Sequence, residues 1–297
     1  MGQSVLGGSY VEYRLSRMAR SQKPDVIERI YDTLVDASGN LTRTVVTNED
    51  VVEAIAWCRA NKQSTLSVKN PANFMKDIIR GQGASKMWPA RLQALRIGGR
   101  QVTGNGNVFE FVPYEADQTE PFPNRFGYHE GVWRHQVQSI SMPLASKELG
   151  RDDETYLIQV AVKLTVVETH FALRSPIDVV ELNHLQIGIK LRLCEVDAMF
   201  AATYRDQNNG ELRRMIITAE AKRKNQRILE EQVMQQVRAA FKETDVDLVV
   251  PIAMTVAATG IYVAEFKAVR RADLGTFDLL ELEAEGLYEL TPSVQGV

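Results

Sequence analysis

An uncharged run of 17 residues, Leu248 to Ala264, most constrains how this chain can fold. A membrane-spanning helix needs about 20 strongly apolar residues, whereas this run is shorter and contains Pro251 and Gly260. Its many β-branched residues, divided by the Ala-Thr-Gly turn at 258–260, are typical of strands. The run therefore predicts two buried strands, at 248–257 and 261–268, and we expect no membrane association.

The residues before this run predict helices packed on a sheet. The segment 154–173 is rich in β-branched residues but too long for one strand, and its apolar residues at helical spacing predict one long buried helix. We expect a short helix after Ser175-Pro176, strands at 184–200 and 215–222, and an amphipathic helix at 225–242. The predicted fold class is therefore α/β (α+β), with a mixed β-sheet flanked by helices.

The first third of the chain predicts helices followed by a β-hairpin. Helical spacing covers 24–37, Asn48 can cap a second helix to about residue 60, and Asn70-Pro71 can begin a third that runs to Gly81. A short fourth helix is expected at Trp88-Pro89. Alternating residues on both sides of Gly104-Asn105-Gly106 are a strong hairpin signal.

The first three of these helices, followed by the hairpin, have the order of a winged helix-turn-helix, in which a helix enters the major groove of DNA. A helical subdomain that only packs is the alternative interpretation. The net charge is −3, but residues 59–100 carry nine Lys or Arg residues and one acid, a local charge of +8 that attracts polyanions. The predicted DNA-binding residues are Lys69, Asn73, Lys76, Arg80, Lys86, Arg100 and Gln226.

Four regions follow from these patterns: an N-terminal tail at 1–20, a winged-helix-like domain at 21–112, a proline-rich connector at 113–150 and a second domain at 151–297. Cys58 and Cys194 lie far apart with no metal-ligand spacing, which suits a reducing compartment and predicts no zinc site. The first residues lack the pattern of a signal peptide, so we expect a cytoplasmic protein.

Two strand-like segments hold the residues that point to chemistry, Glu195-Val-Asp197 and Glu220-Ala-Lys222, separated by the turn signal Asn208-Asn209-Gly210. Antiparallel pairing would bring Asp197 close to Glu220 and Lys222, because residues i and i+2 of a strand share a face. Two converging carboxylates can bind a hard cation such as Mg²⁺, and a neighbouring lysine can position water.

The order Asp197, then Glu220-x-Lys222, then a helix resembles the PD-(D/E)XK nuclease superfamily, and the run EAKRKNQRILEEQVMQQV is similar to type II restriction endonucleases. The resemblance covers about residues 150–268 and departs from the usual pattern at Val196, where a proline is common. It implies that Asp197 and Glu220 bind Mg²⁺, or Mn²⁺ in its place, that Lys222 orients water, and that the fold is a restriction-endonuclease-like core.

Other candidates are less specific. Glu168 is the helical glutamate expected to reach the site, or else a surface carboxylate. Glu195 is predicted either to bind the metal itself or to contact a residue that does. Gln226 and Gln232 are predicted to contact the active site or a DNA phosphate, or else only solvent. A second Glu-x-Lys, Glu265 and Lys267, lacks the following helix and is not favoured, and His170 is expected to be a hydrogen-bonded structural histidine.

The sequence thus predicts a Mg²⁺-dependent endonuclease that acts on double-stranded DNA, a restriction enzyme or related defence nuclease. A repair nuclease on the same fold, and a DNA-binding regulator with an inactive nuclease-like domain, are the alternatives. Cutting both strands favours a homodimer. A cognate DNA methyltransferase that acts on the same site would be a second partner.

Overall fold

The computed structural model describes residues 21–79, 84–102, 105–191, 194–257 and 259–297, and the predicted tail at 1–20 lies outside them. The protein is a mixed α/β structure with two sheets and several helices. The N-terminal elements are α1 (Lys23–Leu34), β1 (Val45–Thr47), α2 (Asn48–Lys62), α3 (Lys76–Ile79), α4 (Ala90–Ala94), β2 (Ile97–Gln101) and β3 (Asn107–Pro113).

The smaller sheet has the order β1-β3-β2, with both neighbours antiparallel to β3. The predicted hairpin is therefore present, and a third strand, β1, which the sequence did not indicate, completes the sheet. Asn105 and Gly106 adopt left-handed backbone conformations in the turn, and Gly104 lies outside the described residues. The α2 cap is Thr47, one residue before the predicted Asn48, because Thr47 and Asp50 form a capping box.

The prediction of one helix from Asn70 to Gly81 is wrong for the residues that the structure describes. A 3₁₀ turn at Pro71–Asn73 precedes the single turn of α3. Phe74 and Met75, between the two, are buried in the N-terminal core. Arg80 lies outside the described residues, and only the backbone of Lys76 is described.

Aromatic side chains fill the core beneath the small sheet. Trp88 donates a hydrogen bond from its indole nitrogen to the carbonyl oxygen of Ile97, 2.8 Å away. Its ring packs against Phe109, Phe111 and Phe122 with centroid distances of 5.1–6.2 Å. Because Phe122 belongs to the proline-rich connector, this cluster holds the start of the connector against the N-terminal elements.

The remaining elements build the large sheet and its flanking helices. They are β4 (Arg134–Gln138), α5 (Leu144–Glu148), α6 (Glu154–Lys163), α7 (Val166–Leu173), β5 (Val179–Lys190), β6 (Glu195–Arg205), β7 (Leu212–Lys222), α8 (Glu230–Glu243), β8 (Leu248–Ala257), β9 (Gly260–Phe266), β10 (Val269–Arg270) and β11 (Leu282–Thr291). The sheet order is β4-β11-β9-β8-β7-β6-β5, and β10 pairs with β8.

Strand directions in this sheet follow from the connections. Hairpins make β5, β6 and β7 successively antiparallel, whereas β7 and β8 are parallel because α8 crosses between them. Helices α6 and α7 pack on one face, with Phe200, Ile217 and Val263 in their core cluster. Helix α8 packs on the opposite face, where Val237 and Phe241 belong to another cluster.

The long helix predicted over 154–173 is two helices. Helices α6 and α7 meet at a bend of 63°, and Thr165 between them adopts a left-handed conformation with φ 51°. This conformation is uncommon for a β-branched residue and turns the chain so that both helices can bury apolar residues against one sheet face.

Two further predictions at the edge of the sheet are wrong. The predicted strand 184–200 is divided between β5 and β6, which pair as a hairpin whose turn carries no glycine, proline or asparagine. The short helix expected after Ser175-Pro176 is absent among the described residues, since β5 begins at Val179.

The C-terminal half departs from the sequence pattern at two more places. Helix α8 begins at Glu230 and not at 225, because Ile228 and Leu229 are buried in two different clusters and hold the preceding segment away from the helix axis. The acidic C-terminal segment contains β11, which lies between β9 and β4. Its glutamates obscured a strand that buries Tyr288 and Leu290 in one core cluster and Leu287 in another.

The connector also contributes to the large sheet, since β4 pairs in parallel with β11 at one edge. Within the described ranges, no single helix has the length and apolar character to cross a membrane; the bent pair of α6 and α7 meets that test only when the two are joined.

Candidate active site

Strands β6 and β7 bring the predicted site residues together. Their antiparallel register pairs Ala198 with Ala219, so Asp197 and Glu220 are the next residues on the two strands. Ala198 and Ala219 pack into the core beneath α6 and α7. Because side chains alternate between faces, Glu220 belongs to the opposite face, on which α8 packs. The Asp197 side chain lies beside the same strand end, where its Oδ2 atom accepts a hydrogen bond from the backbone N–H of Ala221. The predicted convergence of these carboxylates is therefore found in the structure.

A buried ion pair lies at the end of β7. Glu220 has no exposed surface and Lys222 is 2% exposed, and the Lys222 ammonium contacts one oxygen of Glu220. The second oxygen of Glu220 accepts a hydrogen bond from the side-chain amide of Gln236. Lys222 also donates to Oε1 of Gln232 over 3.1 Å. Burial of these charges is tolerated because both are paired.

Helix α8 supplies both amides. Gln232 and Gln236 are four residues apart and share one helix face, which α8 turns toward β7. Gln236 also donates to the backbone oxygen of Glu195 over 3.5 Å, which joins the helix to the start of β6. The sequence reasoning named Gln232 but missed Gln236, although the spacing of the two would have indicated it.

Burial dominates the electrostatics of the two carboxylates. Removal from water raises the pKa of Glu220 to about 7, a change that Lys222 opposes and the negative charge of Asp197 reinforces. Burial also raises the pKa of Asp197, despite the backbone N–H of Ala221, which donates to its Oδ2 atom over 2.8 Å. For both carboxylates the loss of hydration outweighs the stabilising contacts, so the protonated form is favoured more than in a free side chain.

A glutamate on α6 acts on this pair. The charge of Glu154, in the first turn of α6, contributes to the raised pKa of Asp197. The candidate from the sequence, Glu168, lies on α7, where burial raises its pKa and its Oε2 atom has no hydrogen-bond partner. Among the contacts of the described residues, none joins Glu168 to Asp197, Glu220 or Lys222, and its proposed catalytic role stays a prediction.

Two other predicted residues lie near the pair without touching it in this structure. Glu195 is two residues before Asp197 on β6, and its side chain is exposed. Gln226 accepts a hydrogen bond from the backbone N–H of Arg223 over 3.3 Å, in the segment between β7 and α8. That hydrogen bond is local to this segment. A contact between Gln226 and DNA stays a prediction.

The second Glu-x-Lys motif has a different environment. Glu265 is fully buried and accepts hydrogen bonds from Ser175 (2.7 Å) and pairs with His170 (3.0 Å). His170 in turn contacts the hydroxyl of Tyr288 over 2.9 Å, as expected for a structural histidine. Lys267 is exposed and pairs with Glu281. The motif therefore holds α7 against the sheet and does not form a site open to a substrate.

The predicted DNA-binding residues that the structure describes lie on the surface of the N-terminal region. Lys69, Asn73 and Lys86 are exposed, and Arg100 on β2 forms a 2.7 Å ion pair with Glu110 on β3. As noted, Lys76 and Arg80 are not described beyond the backbone of Lys76. The exposed positions are compatible with phosphate contacts.

A divalent cation fits the donor set of Asp197 and Glu220. Mg²⁺ in proteins is commonly held by one or two carboxylates with water and substrate phosphate completing the shell. In the part of the chain that the structure describes, no group of three or more His, Cys, Asp or Glu side chains is placed to hold a metal ion. A cation at this pair would be held by Asp197 and Glu220, and Glu220 would exchange its contact with Lys222 for it.

Comparison with models of protein families, with curated proteins and with solved structures finds no match for this chain.

Proposed function

We propose that this protein is a metal-dependent endonuclease that hydrolyses phosphodiester bonds of double-stranded DNA, of the PD-(D/E)XK type. The observation that carries the proposal is the convergence of Asp197, Glu220 and Lys222 at one end of the β6–β7 hairpin, with α8 as the next element after β7. The order of α6 and α7, then β5, β6 and β7, then α8 and β8, also agrees with the restriction-endonuclease-like core that the resemblance implies.

The N-terminal region supports the part of the proposal that concerns binding of double-stranded DNA. Strand β1 lies between α1 and α2 in sequence and pairs with β3, the second strand of the hairpin and the central strand of the small sheet, an arrangement that agrees with a winged-helix-like domain. Exposed Lys69 and Lys86, and the basic character of 59–100, would supply phosphate contacts. In this proposal the N-terminal region grips duplex DNA and the large sheet carries the chemistry.

The chemistry follows from the side chains. When bound, Mg²⁺ (or Mn²⁺) would be held by Asp197 and Glu220 and would stabilise the negative charge that develops on the phosphodiester. Lys222 already lies beside Glu220, and its ammonium can hold a water molecule through a hydrogen bond and offset charge on the phosphate. Gln232 keeps that ammonium in place. Gln236 fixes the Glu220 carboxylate, so the site is positioned by α8.

The proposed setting is the cytoplasm, with a homodimer as the assembly that cuts both strands and a DNA methyltransferase as a partner that protects the same sites. A site-specific restriction enzyme is the version that the type II resemblance favours. A structure-selective repair nuclease and a regulator with an inactive site are the competing versions that the following experiment separates.

The experiment is cleavage of supercoiled plasmid by the full chain with Mg²⁺, Mn²⁺ or EDTA. We expect discrete products with either metal and none in EDTA, whereas a smear indicates non-specific cutting. Asp197→Asn and Glu220→Gln should each reduce the rate by at least about 100-fold, which corresponds to about 2.7 kcal/mol, with duplex binding retained. Asp245→Asn, an exposed carboxylate after α8, is the control. No cleavage with any metal by the folded wild type favours the regulator.

A further inference from the structure

The segment that joins β7 to α8 is strongly basic. Residues 222–227 carry no acid and four cations: Lys222, Arg223, Lys224 and Arg227. The two outer cations are buried, and each pairs with a glutamate. The two inner cations, Arg223 and Lys224, are exposed. Two adjacent positive charges therefore lie at the surface, directly after the lysine of the candidate site.

Two hydrogen bonds fix the inner part of this segment as a tight turn. The backbone N–H of Gln226 donates to the carbonyl oxygen of Arg223 over 3.1 Å. In return, the side-chain oxygen of Gln226 accepts from the backbone N–H of Arg223 over 3.3 Å. Asn225 has a left-handed backbone with φ 69°, a conformation that asparagine adopts more readily than most residues. We call residues 223–226 the basic turn.

Both ends of the basic turn are anchored. Before it, Lys222 is held by Glu220 and Gln232. After it, Ile228 and Leu229 are buried in two different hydrophobic clusters, and Leu229 belongs to the core of the N-terminal region. Both also line a cavity of about 280 Å³ between the small sheet and the beginning of α8. The basic turn therefore has a fixed place, at the junction of the N-terminal region and the large sheet.

The charges of the basic turn are not compensated by neighbouring acids. Arg100 and Arg125, which line the cavity, both pair with glutamates. By contrast, no residue that the structure describes forms an ion pair, a side-chain hydrogen bond or a ring contact with the side chain of Arg223 or Lys224. Two neighbouring exposed cations without local acids create a field that attracts polyanions.

Covalent connection alone keeps the basic turn close to the candidate active site. Consecutive Cα atoms are about 3.8 Å apart, so the Cα atoms of Arg223 and Lys224 lie within about 4 and about 8 Å of that of Lys222. Asp197 lies at the same strand end, where it accepts a hydrogen bond from the backbone N–H of Ala221. A DNA strand bound at this strand end therefore has its neighbouring phosphates close to both cations.

Resting on the proposed function, we propose that the basic turn binds the backbone phosphates of the DNA strand beside the bond that is cut. Arg223 and Lys224 would each contact one phosphate, the guanidinium through paired hydrogen bonds and the ammonium as a point charge. Phosphate contacts carry no base information, so the basic turn holds the strand in place and does not select its sequence.

The first measurement is DNA binding without cleavage. A labelled duplex is titrated with the full chain in EDTA, and binding is followed by fluorescence anisotropy between about 50 and 200 mM salt. Arg223→Gln with Lys224→Gln should reduce the slope of log affinity against log salt by about 1.8, since each lost phosphate contact removes about 0.9. The charge-swapped variant, Arg223→Lys with Lys224→Arg, keeps both cations and should keep the slope.

The matched control removes one arginine and one lysine elsewhere. Arg214→Gln with Lys242→Gln changes two exposed residues and gives the same net charge as the test variant. Arg214 is eight residues before Lys222 on β7, which is about 26 Å along the strand, and Lys242 is in the last turn of α8. The control should keep the slope of the wild type. Thermal unfolding checks that each variant is folded.

The second measurement is the rate of plasmid cleavage with Mg²⁺. The variant without both cations should need at least about tenfold more DNA for its half-maximal rate, while its rate at saturating DNA falls less than about threefold. The charge-swapped variant should restore the DNA requirement of the wild type. A residue that only supports the fold would not give this split between KM and kcat, nor recovery with the charges exchanged.

The outcomes separate the phosphate-binding role from the proposed function. An unchanged slope in the folded variant without both cations overturns the role of the basic turn, even where the wild type cuts plasmid. An equal loss of slope in the control, or in the charge-swapped variant, also overturns it, since the effect would then come from overall charge or from the shape of the turn. A specific loss of slope in a protein that cuts no DNA with any metal supports the basic turn and overturns the nuclease proposal.

Discussion

The Nζ atom of Lys222 lies 3.1 Å from the Oε1 atom of Gln232, so the last residue of β7 is held by the first turn of α8. The same turn begins with Glu230, which lines the cavity between the small sheet and α8. One short helical segment therefore connects the buried ion pair, the candidate metal carboxylates and this cavity. Movement of this segment would change all three.

The two Glu-x-Lys motifs should differ sharply on mutation. Lys222→Met leaves Glu220 buried without its cation, and loss of one partner of a buried ion pair costs about 3–5 kcal/mol. We expect loss of cleavage and a clear drop in the free energy of unfolding, measured by urea denaturation. Lys267→Met removes an exposed pair with Glu281, worth at most about 1 kcal/mol, and should still cut. A folded Lys267→Met without activity, beside an active Lys222→Met, would place the site at the second motif.

The stability of the protein should depend on the protonation of Glu220. Its pKa is raised from 4.5 to about 7 by burial, so the folded protein binds more protons than the unfolded chain between these values. The contribution of neutral Glu220 is complete below pH about 4.5 and is lost as the pH rises to about 7. The free energy of unfolding should therefore fall with pH, by at most about 1.4 kcal/mol per unit for one proton.

Glu220→Gln tests this dependence. Urea unfolding at pH 5, 6 and 7 gives the slope of the free energy of unfolding against pH for the wild type and for the variant. The two slopes should differ by the amount that corresponds to about one bound proton. Burial raises the pKa of Asp197, and since burial is unchanged by the substitution we expect the contribution of Asp197 to cancel to first order. Equal slopes for the two proteins would show that Glu220 is already ionised at pH 5.

The two helical glutamates should have unequal effects on cleavage. Glu154→Gln removes a negative charge that acts on Asp197, so we expect the pKa of Asp197 to fall and the acidic limb of the cleavage-rate profile to move to lower pH. Glu168→Gln should change the rate less than twofold. Plasmid cleavage rates from pH 5 to 9 measure both. A loss of cleavage in Glu168→Gln at all pH values would support the catalytic role predicted for Glu168 from the sequence.

The basic surface of the N-terminal region should control the salt dependence of DNA binding. Each phosphate contact adds about 0.9 to the slope of log affinity against log salt. The double variant Lys69→Ala and Lys86→Ala should therefore flatten the slope by nearly two without changing the metal requirement. Lys242→Ala, an exposed lysine at the end of α8, is the control. An unchanged slope in the double variant would assign DNA binding to another surface.

Several features of the fold could be predicted because they depend on neighbours along the chain. The strands at 248–257 and 261–268 correspond closely to β8 and β9, since an uncharged run with a central glycine has few alternatives. The hairpin formed by β2 and β3 followed from its turn residues. The convergence of Asp197, Glu220 and Lys222 followed from the period of two in a strand and one turn signal.

Other features depend on residues far apart in sequence. The bend at Thr165 exists because both α6 and α7 must pack on one sheet face. Strand β11 forms because it pairs with β9 on one side and β4 on the other, although its glutamates are typical of a solvent-exposed tail. The electrostatic effect of Glu154 on Asp197 depends on the path of α6, which no local sequence pattern encodes.

The sequence by itself determined the residue types of the candidate site, the strands that carry them and the helix that follows, because local periodicity and turn chemistry act over a few residues. Only the tertiary structure decided that Gln236 fixes Glu220, that Glu265 is enclosed by Ser175 and His170, and that a cavity separates the small sheet from α8. These are packing relationships between distant segments, and burial, which sets the pKa of Glu220, is a property of the assembled core alone.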